Sequence, residues 1–201
     1  MSNPPPNNIV FRIGAFSTNP ITHSPISLLE SYFKSSSNKN YSEVKEDHVD
    51  YDHTTLSHKT IRINFIQIIS LDKVSRICNC ADCFIIFIDL TSSKSKENLN
   101  EIFNYLDWHC SLDNKIYVIG IYTQPEEIKD DMLESNIKEM FAAQEKLKTE
   151  YFQIALQDTT QMETVMNNLT NEAAKVKISK MKDRDDNNLI QDMSNSMCEI
   201  I

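Results

Sequence analysis

Two short runs constrain this chain more than anything else in it: Phe84-Ile-Ile-Phe-Ile-Asp-Leu90 and Lys115-Ile-Tyr-Val-Ile-Gly120. Each is continuously apolar through its middle instead of alternating, and each has the length of a strand. A strand that is apolar on both sides needs cover on both sides, as in the centre of a mostly parallel sheet with helices packed on each face. The chain supplies such covers. Leu99, Ile102, Phe103 and Leu106 recur at helical spacing in a helix ending near Trp108, and Met162, Val165, Met166, Leu169 and Ala173 line a final helix.

The remaining segments fit the same plan. Ile9-Val-Phe-Arg-Ile13 is a short β-branched run bounded by Gly14, which predicts a buried strand ending at a turn glycine. Ser24 followed by Pro25 reads as an N-cap and a first helical position, opening a helix with Leu28, Leu29, Tyr32 and Phe33 on one face. Lys34 to His48 is polar and reads as a loop. Val49 to Thr55 and Lys59 to Phe65 read as two strands joined through Leu56-Ser57-His58 as a hairpin, with Ile61, Ile63 and Phe65 alternating against Arg62 and Asn64. A charged helix, whole or in two pieces, is expected from Glu126 to Glu150, then a strand from Tyr151 to Ala155. Strands alternating with helices predict a doubly wound α/β domain. Its boundaries are placed at 9–177, between a Pro/Asn leader (1–8) and a flexible C-terminal tail (178–201).

Charge and cysteines limit the function classes. A net charge of −9 over 201 residues argues against general nucleic-acid binding, which needs a basic surface. Met1 to Asn8 lacks the basic and apolar regions of a secretory signal, and the apolar run Cys83 to Ile88 is far short of the ~20 residues that span a bilayer. Five cysteines, three of them between Cys78 and Cys83, fit free thiols in a reducing, cytoplasmic compartment. Zinc held by Cys78, Cys80 and Cys83 with Cys110 or His109 is the sharper reading of that cluster. Small buried hydrophobes are the better account, so no metal site is assigned.

The wording of several segments resembles a small GTPase of the Ras superfamily, closest to the Rab branch. Val49-Asp50-Tyr51 to Thr60-Ile61-Arg62-Ile63 is similar to that family's second and third strands. Ala81-Asp-Cys-Phe-Ile-Ile-Phe-Ile-Asp-Leu-Thr91 with Glu97-Asn98-Leu99 is similar to its fourth strand and following helix, and Tyr151 to Ala155 to the strand before its S-A-K motif. The resemblance runs from about Ile9 to Val176. It implies a doubly wound P-loop small-GTPase-like fold: a mostly parallel sheet with one antiparallel edge hairpin and helices on both faces.

The family's chemistry does not carry over with the fold. A phosphate loop needs backbone amides around the phosphates, a lysine for the outer charges and a hydroxyl for magnesium. Gly14 matches its first glycine, but Ser24, Pro25 and Ile26 stand at the second glycine, the lysine and the hydroxyl, and the interval from Gly14 to Ser27 is five residues too long. The γ-phosphate motif falls on Gln67-Ile-Ile-Ser-Leu71, with Asp72 a shifted candidate carboxylate. The guanine-reading residues become Ile121, Tyr122 and Gln124, and the S-A-K motif becomes Ala155-Leu156-Gln157. Joint loss of these groups removes most of the electrostatic stabilisation on which phosphoryl transfer depends. The expectation is therefore a pseudo-GTPase that uses no cofactor, with Gly14, Ser24 and Ser27 as remnants of a nucleotide site.

Such a protein would be an adaptor or scaffold for protein partners in membrane or vesicle traffic. The alternatives are an atypical GTPase that still binds GTP and magnesium, and a structural subunit of a larger complex. Cys198-Glu-Ile-Ile201 has the C-a-a-X form, which makes Cys198 a candidate for prenylation and the protein a candidate for peripheral membrane anchoring.

Overall fold

The computed structural model describes residues 9–35, 41–44, 48–54, 60–69, 74–78, 80–110, 115–129, 132, 134–142 and 147–185. Seven strands form one sheet: β1 (Ile9–Ser17), β2 (Tyr41–Val44), β3 (His48–Thr54), β4 (Thr60–Gln67), β5 (Cys83–Asp89), β6 (Lys115–Tyr122) and β7 (Lys148–Ala155). Five helices accompany them: α1 (Pro25–Ser35), α2 (Val74–Cys78), α3 (Ser95–His109), α4 (Glu134–Ala142) and α5 (Thr159–Asp185). The strand order is β2-β3-β4-β1-β5-β6-β7. From β4 to β7 every neighbour is parallel, whereas β3 pairs antiparallel with β4 and β2 antiparallel with β3.

The two apolar runs become β5 and β6, adjacent at the middle of the parallel block and in register from Cys83↔Lys115 to Asp89↔Ile121. All of β5 is buried. Strand alternation then divides its side chains between two cores. Cys83, Ile85 and Phe87 pack with Leu29 of α1 and with Val165, Met166 and Leu169 of α5. Phe84, Ile86 and Ile88 pack with Ile77 of α2, Leu99, Phe103 and Leu106 of α3, and Ile137 of α4. Helices therefore cover both faces, as the continuous apolar runs require.

Four local expectations change. β1 does not end at Gly14 but runs on to Ser17, because Phe16 is buried and Ser17 still pairs with Phe87 of β5. The polar stretch Lys34 to His48 contains β2, a short edge strand whose polar composition conceals it from a hydrophobicity argument. As a result the β3–β4 hairpin lies inside the edge instead of forming it, while its turn falls outside the described residues. The charged segment after β6 forms a 3₁₀ turn at Pro125–Glu127 and then the short α4. Finally, α5 continues to Asp185, eight residues into the stretch expected as tail.

A hydrogen-bonded crevice at the carboxyl ends of β1, β4 and β5

In an open α/β sheet, ligands collect outside the carboxyl ends of the strands, where neighbouring strands send their helices to opposite faces. Here that place is the β1/β5 pair. α1, which follows β1, packs in the core with α5; α3, which follows β5, packs in the core with α2 and α4. The turn between β1 and α1 and the turn between β5 and α3 diverge over the crevice between them.

The crevice is filled by the protein's own polar groups. The Thr18 amide donates to the Phe87 carbonyl at 2.9 Å, and the buried Thr18 hydroxyl accepts the Asp89 amide at 3.1 Å. That hydroxyl also shares a hydrogen bond of 2.9 Å with Ser95 at the start of α3. The Asn98 side-chain amide donates to the Thr18 carbonyl at 2.7 Å. Asp89, 4% exposed, forms the hub. One of its oxygens accepts the Asn19 side-chain amide at 2.9 Å and the other accepts the Thr91 amide at 3.0 Å and hydroxyl at 2.7 Å. The His23 imidazole lies 3.8 Å from the first. Burial alone would push the Asp89 carboxyl up, but the Thr91, Asn19 and His23 interactions outweigh it and hold the carboxyl below its ordinary range.

The N-terminus of α1 is closed in the same way. Pro25 contributes no amide, and the Ile26 amide donates to the side-chain oxygen of Gln67 at 3.2 Å. The Ser24 hydroxyl donates to that same oxygen at 2.8 Å. A backbone N–H can only donate, so the atom receiving it is the oxygen of the Gln67 amide. Ser24 had been expected to cap α1 through its side chain; instead the cap reaches over from the end of β4, and Ser24 contributes its carbonyl to the Leu28 amide. An amide oxygen thus occupies the position at the helix N-terminus where an anion would be stabilised.

The three expected remnant residues do not form one site. Gly14 lies within β1, paired with Ile66 and Phe84, and a Cβ there would stand 2.7 Å from two Phe84 ring carbons and 3.0 Å from Ile68 Cδ1. It is a glycine because a ring crosses its face, not because a phosphate approaches. Ser24 is bound to Gln67, and Ser27 is exposed on α1. Ile26 is buried in the core with Leu29 and Tyr32. Of the guanine-reading positions, Ile121 is buried inside β6 and Gln124 is exposed after it. Asp72 and Cys198 lie outside the described residues. The sequence reading missed Thr18, Asn19, Ser95 and Gln67 as a network. The available signal was Asp89, a carboxylate ending an otherwise apolar strand at the switch point.

The cysteine cluster is also separated. Cys83 belongs to the core beneath α1 and α5, while Cys78 and Cys110 belong to the opposite core. Among the described residues no group of three or more histidine, cysteine or acidic side chains could hold a metal ion.

Fold and crevice together define a doubly wound α/β domain whose switch point is occupied by internal hydrogen bonds. No protein-family model matches the chain, and no curated protein matches it. No helix among the described residues is long and apolar enough to cross a membrane.

Proposed function

We propose that this chain is a pseudo-GTPase of Rab-like character: a nucleotide-free adaptor that binds protein partners through its surface and works in membrane traffic. The observation carrying this reading is the closed switch point. In a nucleotide-binding domain of this architecture, the amides at the start of the first helix and the polar groups at the end of the first strand must be available to phosphate. Here Gln67 takes the Ile26 amide, and Thr18, Asn19 and Asp89 are engaged with one another, Thr91, Ser95 and Asn98. A phosphate entering the crevice would have to displace these bonds and sit beside the buried Asp89 carboxylate. Both costs oppose binding.

The surface supports the partner half of the reading. Trp108 at the end of α3 is 84% exposed, and Ile21 in the turn after β1 is 98% exposed. Tryptophan is the residue type most enriched among interface anchors. In this reading Cys198 carries a prenyl group that brings the adaptor to membranes.

Nucleotide content of natively purified protein tests the first half: denaturation followed by chromatography is expected to release no guanine nucleotide, and stoichiometric GDP or GTP would overturn the reading. Detergent partitioning from cells tests the anchor. Wild-type protein is expected in the detergent phase and Cys198→Ser in the aqueous phase; identical partitioning removes the anchor from the account.

A further inference from the structure

The Cys78 and Cys110 sulfurs stand 2.7 Å apart, although the residues are 32 positions distant in sequence. Cys78 is the last residue of α2, and Cys110 closes α3 with its amide bonded to the Leu106 carbonyl at 2.8 Å. The turn after Cys78 is fixed as well, since the Cys80 and Ala81 amides both donate to the Ile77 carbonyl, at 3.0 and 2.7 Å. Two pinned helix ends therefore hold the thiols together, so the chain entropy of closing the intervening loop is already lost in the folded state. The distance is short of ordinary thiol contact and about 0.7 Å longer than a disulfide bond. Cys80 is not the partner: its thiol is directed to the Ile77 carbonyl at 3.4 Å.

We propose that Cys78 and Cys110 form an oxidation site, a thiol pair that peroxide converts to an intramolecular disulfide tying α2 to α3. Cys78 is the attacking sulfur. The hydrogen bond from the Cys110 thiol favours its thiolate, while Cys110 is pushed the other way by the same bond and by burial. The Cys78 thiolate attacks one oxygen of hydrogen peroxide; the O–O bond breaks, and hydroxide leaves and takes up the proton lost by Cys78, giving a sulfenic acid and one water. The Cys110 sulfur then attacks the sulfenic sulfur, the S–O bond breaks, and the Cys110 proton leaves with the hydroxide as a second water. Two thiols lose two electrons and one peroxide gains two. A dithiol reductant reverses the change. Its structural consequence is local: the short α2, which connects β4 to β5, becomes covalently attached to the end of α3.

The test is peptide mass spectrometry on the purified full chain after exposure to hydrogen peroxide and alkylation of remaining thiols. The expected product is a cross-linked Cys78–Cys110 peptide pair about 2 Da lighter than its two thiol peptides. It should disappear on treatment with dithiothreitol, and oxidised protein should melt several degrees above reduced protein. In Cys110→Ser, oxidation should stop at a Cys78 sulfenic acid that dimedone traps. The proposal is overturned if wild-type Cys78 and Cys110 both remain alkylatable after peroxide, if Cys80 is found in the bridge, or if the bridge forms only between chains. Because the wild-type result decides the matter alone, a poorly folded serine variant leaves the test intact.

Discussion

Replacing Gln67 by methionine keeps most of the side-chain volume and removes the oxygen that caps α1. The Ser24 hydroxyl and the Ile26 amide, both part-buried, then lose their acceptor together. At about 1 kcal/mol for each bond, the loss is about 2 kcal/mol, the upper end of what removal of an N-cap costs. For a chain of this size that corresponds to a fall in Tm of about 4–8 °C. Thermal and urea unfolding of Gln67→Met measure it directly. A cycle with Ser24→Ala isolates the shared bond, since two groups on one acceptor should be non-additive by about 0.5–1 kcal/mol. Gln67→Glu provides the opposite perturbation: it retains the acceptor and adds negative charge at a helix N-terminus, so its stability should equal or exceed wild type near neutral pH. The reasoning fails if Gln67→Met unfolds within a degree of wild type, or if its effect simply adds to that of Ser24→Ala.

Three further expectations concern Asp89, Gly14 and the base of α5. Since the folded Asp89 carboxyl lies below its ordinary value, its contribution to stability is present above the unfolded pKa of about 3.9 and disappears as pH falls through the folded one. Asp89→Asn should therefore be less stable than wild type at pH 6, with the difference narrowing toward pH 2 in urea titrations; a constant difference contradicts the charge assignment. Gly14→Ala places a methyl group against the Phe84 ring and should cost about 1–3 kcal/mol, read as a lower urea midpoint, whereas unchanged stability would show that the ring has room to move. Lys115 lies 2.6 Å from Glu150 and also pairs with Glu172 of α5, which accepts the Tyr117 hydroxyl at 2.8 Å. Glu172→Gln should speed amide exchange along α5 at low salt, and added salt should shrink the difference; salt-independent protection would mean that apolar packing alone holds the helix.

What the sequence made legible depended on how strongly burial writes a pattern. β5 and β6 are buried on both faces and could be read from apolar continuity, and α3 and α5 from helical spacing. Gly14 shows why boundaries were harder. A glycine after a β-branched run looks like a turn, but whether it turns or makes room for a ring depends on Phe84, 70 residues away. β2 was hidden because an edge strand satisfies its backbone on one side only and needs no apolar face. The crevice was the least legible part, because Thr18, Asn19, Gln67, Asp89 and Ser95 carry no motif and meet only through the sheet register. The resemblance to a small GTPase directed attention to Gly14, Ser24 and Ser27 by position along the chain, whereas the cap of α1 comes from Gln67 across the sheet.

The closed switch point is the central claim, and calorimetric titration of GTP and GDP into the full chain with magnesium tests it most directly. The account predicts no saturable heat for either nucleotide at concentrations up to the millimolar range, where non-covalent binding is worth only about 4 kcal/mol. A saturable isotherm with micromolar or tighter affinity would mean that Gln67 and the Asp89 network yield to a phosphate, and the adaptor reading would fall with it.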